Sequence, residues 1–277
     1  MPEPMQKRIR CVLVVGGDWH DFDYARLRIL EVLARDERVR TRVFETYDAA
    51  CAAIETCDFL VSYTCNVLAS IETQEALRAF VARGGRWFAL HGTNSVLRFL
   101  SPEGAGYGEL LVDAPRWAPL FMQTLGSQFI AHPPIAPYRV EVTKPEHPLV
   151  AGVAPFEATD ELYLLETHGA LEVLLHCEFA GEAAGFVEAR WKHAAHPVLY
   201  LNRVGDGQVL YLTLGHCRGH YDMLDMMDYY PAVERGAWDL PVFHTLLQRG
   251  IDWAKAPALP ASSAREPEHG SPIDMRG

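Results

Sequence analysis

Four short apolar runs, spaced by turns and helical stretches, fill the first ninety residues and constrain the fold of this chain more than any other feature. They are Arg10–Val15 (RCVLVV), Val39–Phe44, Phe59–Tyr63 and Trp87–Leu90. Runs this short, bounded by glycine or polar residues, read as buried strands. Between them, Phe22–Ala34 has apolar residues at helical spacing, with Asp21 or Asp23 placed to cap its start. Glu72–Ala82 is a second amphipathic stretch, closed by Arg83-Gly84-Gly85, a helix-stop signal. Strands alternating with helices predict a parallel, doubly wound sheet. Such sheets bind ligands at the carboxyl ends of their strands. Three polar turns are therefore expected on one edge: Gly16–Asp21, Thr64–Asn66 and His91–Ser95.

The pattern changes after that. Val96–Pro137 is a long connection containing Trp117 and the helical-looking Pro119–Leu125. A connection of this length is usually functional or has structure of its own. Strand-like runs follow at Tyr138–Val142, Leu162–Leu165, Leu171–Cys177 and Val198–Val204. Gly205-Asp206-Gly207 then turns the chain into Gln208–Leu214 as a hairpin, and Val242–Ala254 reads as a final helix. The expected organisation is one domain over residues 1–254 and a Pro/Ala/Ser-rich tail over 255–277. With few apolar residues to bury, the tail is expected to add little to the melting temperature.

Charge and composition exclude some partners. With 25 basic and 36 acidic residues the formal charge is −11, which repels phosphate backbones and argues against nucleic acid. No apolar run approaches the ~18 residues of a membrane span, and Cys11–Val15 is too short for a signal-peptide core. None of the six cysteines forms a C-x-x-C pair, and a reducing cytoplasm is the simplest compartment for them.

The candidate chemistry lies where apolar segments meet loops. His91 follows the fourth run in GGRWFALHGTNS, at a strand-to-turn corner where many α/β hydrolytic folds carry a Ser or Cys nucleophile. His132 precedes Pro133, His216 follows Thr213-Leu214-Gly215, and Asp160-Glu161 stands at the expected start of a strand. His147 and His196 also precede prolines and read as turn residues. Histidine is both an acid/base near neutral pH and the commonest metal ligand. His91, His132 and His216, with Glu161, can therefore serve as catalytic groups, or the three histidines can hold a divalent metal such as zinc. The spacing is wholly non-local, with no H-E-x-x-H or H-x-H, which counts against the metal; for His91 alone, a core histidine held by one hydrogen bond is an equal reading. Gly16-Gly17-Asp18-Trp19-His20-Asp21 is neither a G-x-G-x-x-G nor a Walker loop; it is a tight turn or a pocket wall. His216–Tyr230 mixes His, Asp, Tyr and Met and suits either a substrate loop or a subunit contact.

In order along the chain, these pieces resemble the ThuA-like proteins, named for trehalose utilisation, which are similar to the class I glutamine amidotransferases. The resemblance covers Arg10 to Ala254. It rests on Val14-Val15-Gly16-Gly17 with Asp18 and His20, Gly84-Gly85 with Leu90-His91, and Gly126-Ser127-Gln128-Phe129 with His132-Pro133. It continues through His147-Pro148-Leu149-Val150-Ala151-Gly152, Asp160-Glu161-Leu162-Tyr163, Pro197-Val198-Leu199-Tyr200 and Gly205-Asp206-Gly207-Gln208-Val209. Tyr211-Leu212-Thr213-Leu214-Gly215-His216 and Gly250-Ile251-Asp252-Trp253-Ala254 complete it.

The resemblance implies an α/β fold, a flavodoxin-like three-layer α/β/α sandwich with a modified, strand-rich second half. An amidotransferase needs a cysteine at the corner where His91 stands, so glutaminase activity is expected to be absent. What the resemblance implies instead is carbohydrate metabolism: an enzyme acting on a sugar, keto-sugar or glycoside through His91, His132, His216 and Glu161. Asp18, Trp19, His20, Asn66, Asn94 and Asp160 are the expected substrate-binding residues, and the partner is a small carbohydrate, with a homo-oligomer open. The rival is a non-catalytic sugar-binding or regulatory protein in which the histidines only shape a pocket. His91 is expected at the pocket mouth and accessible, so that its removal would cost about 1 kcal/mol or less.

Overall fold

The computed structural model describes residues 7–100, 109–223 and 232–256. The first half alternates as expected: β1 (Ile9–Gly17), α1 (Phe22–Leu33), β2 (Val39–Phe44), α2 (Tyr47–Ile54), β3 (Phe59–Cys65), α3 (Ile71–Ala82) and β4 (Arg86–Leu90). Capping defines the helix starts, with Asp21, Thr46 and Ser70 each accepting a backbone N–H from the first turn of α1, α2 and α3. Helix α2 is absent from the sequence reading, although Thr46 and the alanine-rich run behind it are ordinary helix signals.

The second half contains β5 (Arg98–Phe99), β6 (Val112–Asp113), α4 (Pro119–Leu125), β7 (Ser127–Ala131), β8 (Ala136–Val142) and β9 (Phe156–Asp160). It closes with β10 (Leu164–Thr167), β11 (Glu172–Glu182), β12 (Arg190–Val204), β13 (Gly207–Leu212) and α5 (Pro241–Lys255). The long connection after β4 thus has structure of its own. Strands β7 and β9 were not anticipated. Asp160 ends β9 rather than starting a strand, and Glu161 lies in the short link to β10. His196 is not a turn residue: it is buried within β12, paired with Cys177 of β11.

The main sheet has the order β2-β1-β3-β4-β13-β12-β11-β8-β9. Its first five strands run parallel, in the 2-1-3-4-5 order of flavodoxin-like folds, with β13 in the fifth place. Residues 91–206 are therefore an excursion between the fourth and fifth parallel strands. It adds an antiparallel wing (β12, β11, β8, β9) and two small two-stranded sheets, β7 with β10 and β5 with β6.

The fold has three layers because both faces of the sheet are apolar. Along β1, Cys11, Leu13 and Val15 pack on one side with α1 and α5, while Val12 and Val14 pack on the other with α2 and α3. That period-two split, with every residue of β3 and β4 buried, is the signature of a sheet covered on both faces. Among the described residues no helix is long and apolar enough to cross a membrane. Residues 224–230 of the mixed His216–Tyr230 segment and residues 257–277 of the tail lie outside the described residues.

Candidate active site

Four parallel strands deliver side chains to one point at their carboxyl ends. His20 follows β1, Cys65 ends β3, His91 follows β4 and His216 follows β13. The chain turns sharply there. Among the described residues, Trp19, Asn66 and His91 are the non-glycine residues with left-handed backbone, at φ 67°, 59° and 46°. Each such residue costs on the order of 1–3 kcal/mol and persists only where its surroundings impose it. Gly17 precedes them at φ 124°, and a Cβ there would lie 1.8 Å from the Cys65 carbonyl oxygen, so the β1 corner closes only with glycine. At the β4 corner the Tyr211 hydroxyl donates to the His91 carbonyl and accepts from the Asn94 N–H at 2.8 Å.

The excursion folds back over this edge and inserts Glu161. Ligand atoms of His20, His91, Glu161 and His216, all buried, lie within 4.8 Å of one another. His91 Nε2 is 2.9 Å from His20 Nε2 and 3.4 Å from Glu161 Oε2, and His216 Nδ1 is 3.1 Å from Glu161 Oε1.

The outer hydrogen bonds determine what these nitrogens present. His91 Nδ1 lies 2.8 Å from the Thr213 carbonyl, and His20 Nδ1 lies 3.2 Å from the Asp18 carbonyl. A carbonyl only accepts, so each Nδ1 carries the proton and each neutral ring turns an Nε2 lone pair inward. Two lone pairs at 2.9 Å repel unless a proton or cation lies between them. His216 is oriented in the opposite sense. Its Nε2 donates to Glu234 Oε2 at 2.8 Å, while its buried Nδ1 faces Glu161 Oε1. Imidazoles held from behind by a carbonyl or carboxylate, with their inner nitrogens converging on a carboxylate, are the donor set and outer shell of a metal site.

Charge within the cluster is strongly biased. Burial would raise the Glu161 carboxyl, but His216, His132 and His20 outweigh it and hold the group well below the usual carboxylate range. Burial lowers His20 to about 3, so it is neutral at physiological pH. Burial also opposes charge on His216, yet Glu161 and Glu234 on either side raise it to about 9. Arg218 closes the ring, donating to Glu234 Oε2 at 2.8 Å and standing 3.5 Å from Glu161 Oε1.

The cluster lies at the bottom of a cavity of about 460 Å³, a size suited to a small organic ligand. Trp19, His20, His132, Glu161, Tyr163, Arg218 and Glu234 line it. His91 differs from expectation: it is 0% exposed and sits below the cavity rather than at its mouth, because the turn after β4 is packed against β3 and β7. His132 stands outside the four-residue cluster, its Nε2 3.7 Å from Glu161 Oε1, and His20 takes its place among the candidate ligands.

The remaining anticipated substrate contacts are placed differently. Asp18 and Asn66 bond one another at 2.8 Å, and Asn66 also accepts from the Leu97 N–H. Asn94 is buried with its amide on Ser127. Asp160 accepts backbone N–H bonds from Gly215, His216 and Ala237. None of these four lines the cavity. Tyr163, Arg218 and Glu234 carried no role in the sequence reading. Arg218 follows His216 by two residues and could have been suspected. Glu234 is distant in the chain, and nothing local marks it.

The fold and this edge define a class: a flavodoxin-like α/β protein whose carboxyl edge holds a buried three-histidine, one-glutamate cluster. A profile of the family described as trehalose utilisation, ThuA, matches residues 11–230, and the chain belongs to that family. The ThuA-like protein of Bacteroides uniformis ATCC 8492 superposes with a TM-score of 0.60 at 15% identity, covering 92% of this chain and 95% of that one. That of Parabacteroides merdae ATCC 43184 gives 0.59 at 17% identity, covering 90% of each chain. A β-galactosidase from Rahnella sp. R3 gives 0.53 at 14% identity, covering 91% of this chain but 32% of its own. At these identities the likeness is one of fold. No curated protein matched the sequence. Family membership points to a carbohydrate-related role.

Proposed function

We propose that this protein is a metal-assisted enzyme of carbohydrate metabolism, acting on a sugar or a keto-sugar glycoside. His20 Nε2, His91 Nε2, His216 Nδ1 and Glu161 would hold a divalent cation such as zinc. The observation that carries the reading is the convergence of four buried ligand atoms within 4.8 Å of one another: His20 Nε2, His91 Nε2, His216 Nδ1 and a Glu161 oxygen, which a cation would bind in place of the proton on His216. A cation bound there would supply Lewis-acid polarisation of a substrate oxygen and acidify a bound water.

The chain's own groups serve the substrate around that point. His132 is partly exposed and lines the cavity; its Nδ1 donates to the Pro133 carbonyl at 2.8 Å, which leaves Nε2 free to take up a proton. It is the candidate general base or acid. The Tyr163 hydroxyl, 3.2 Å from His91 Nε2 and raised well above its ordinary pKa by burial, stays protonated and can donate to a substrate oxygen. The Cys65 thiol also lines the cavity, but burial keeps it protonated and unsuited to nucleophilic attack.

Elemental analysis and zinc titration of purified protein, then assays on glucosides and 3-keto-glucosides, test the reading. About one equivalent of a divalent metal is expected, lost in Glu161→Gln, with turnover that a chelator abolishes. Failure to bind any divalent metal would overturn the metal assignment. Sugar binding without turnover would instead identify the non-catalytic alternative.

A further inference from the structure

The cavity lining is of two unlike kinds. Around His132, Glu161, Tyr163 and Arg218 it offers charges and hydrogen-bonding groups. An apolar wall adjoins them, built from Phe99, Leu110, Val112, Phe129, Ile135 and Phe186, none of which has a polar side-chain atom; Phe129 and Phe186 border the polar groups, packing on the His132 ring at 5.9 and 5.0 Å. The backbone along part of that wall is already committed: the Val112 N–H donates to Gly185, the Val187 N–H to Val112 and the Phe186 N–H to Ala183. The wall is also shaped. Trp19 stands edge-on to Phe99 with ring centres 5.1 Å apart, and Phe129 meets Phe186 at 5.8 Å. Trp19 is held there by its left-handed backbone, at φ 67°.

A second sugar ring lodged against this wall would bury hydroxyls without partners, at about 1–3 kcal/mol for each. An aryl or alkyl group would instead gain from leaving water, and an aromatic ring would find edge-to-face partners. We infer that the apolar wall of the cavity is a subsite for an aromatic or alkyl aglycone, so that the substrate is a glycoside of an apolar alcohol or phenol rather than a disaccharide. The inference rests on the sugar-site reading above and names the substrate class of that site. The polar groups take the sugar, and the Phe99 wall takes the aglycone.

Calorimetric titration of the purified full-length protein with methyl and phenyl glucosides of both anomers, cellobiose, trehalose and phenol tests it. The better phenyl glucoside should bind at least about tenfold tighter than its methyl counterpart and than either disaccharide, a difference of about 1.4 kcal/mol. Phe99 is partly exposed, so Phe99→Ala should fold; it should cut the phenyl advantage to about threefold or less and leave methyl glucoside binding unchanged. A disaccharide binding as tightly as the phenyl glucoside, or Phe99→Ala weakening methyl and phenyl glucosides equally, would overturn the subsite. Phenol bound in a Phe99-dependent way, with no glucoside bound, would support the apolar subsite and defeat the sugar reading. No binding of glucoside or phenol would defeat both.

Discussion

His91 shows how much one residue's surroundings decide. Its ring is fully buried, its Nδ1 donates to Thr213, and its carbonyl accepts from Tyr211. His91→Ala therefore strands the Thr213 carbonyl and opens a void beneath the cluster. A loss of about 2–3 kcal/mol is expected by urea unfolding of metal-free protein, well above the value for an accessible imidazole. A loss below about 1 kcal/mol would show that the corner relaxes around the gap. His216 gives a pH signature. In the metal-free protein Glu161 and Glu234 outweigh burial and raise it to about 9, against an ordinary value of about 6.5 in the unfolded chain. A raised folded pKa adds stability that is complete below about pH 6.5 and is lost as pH climbs toward 9. His20, lowered to about 3 by burial, works in the opposite direction: its contribution is present above about pH 6.5 and is lost as pH falls toward 3. Melting temperatures of chelator-treated wild type and His216→Gln, measured from pH 6 to 9, should converge as pH rises. A constant gap would contradict the charged, doubly flanked imidazole.

Among the elements, the connections around Asp160 matter more than the strands. This buried carboxylate accepts from Gly215 at 3.1 Å, His216 at 3.2 Å and Ala237 at 2.7 Å, tying the turn after β13 to the segment before α5. It stands one residue from Glu161, so a single carboxylate sets the approach of two cluster residues. Asp160→Asn turns one accepting oxygen into an N–H₂ that faces backbone donors. It should cost about 2–3 kcal/mol and weaken zinc binding at least tenfold, although Asp160 lies outside the cluster. Unchanged zinc affinity by competition with a chromogenic chelator would show that His216 and Glu161 are held independently of it. The first-half elements were legible in the sequence because each obeys local rules: apolar runs for β1, β3 and β4, and caps with helical spacing for α1 and α3. Strands β7 and β9 were not, because their identity depends on pairing: β7 with β10, which lies beyond two intervening strands, and β9 with β8 across the connection over residues 143–155.

For the whole molecule, the excursion over residues 91–206 is the decisive feature. It keeps the five-stranded parallel core and changes what covers its carboxyl edge. With His91 at the corner and Cys65 at the end of a different strand, no ammonia release from glutamine above a buffer blank is expected; measurable release would require a cysteine site that this arrangement lacks. Truncation is best made after Ala256, because Lys255 is tied to Asp36 at 3.2 Å and to Asp252 at 2.9 Å. Removing residues 257–277 should leave the melting temperature within about a degree or two, since that segment has little apolar surface to bury. A drop of many degrees would show that it packs on the domain or on a second copy. By itself the sequence determined the alternating α/β first half, the sharp corners after its strands, the family, and the candidacy of His91, His132, His216 and Glu161. Those are consequences of local spacing, turn chemistry and ordered motifs. Only the tertiary structure decided that His20 joins the cluster while His132 faces the cavity, that Asp160 and Asn94 hold backbone and side chains rather than line the pocket, and that Glu234 orients His216. Those facts depend on which strand ends the parallel sheet brings together and on how residues 91–206 return across them, and no window of sequence contains such distances.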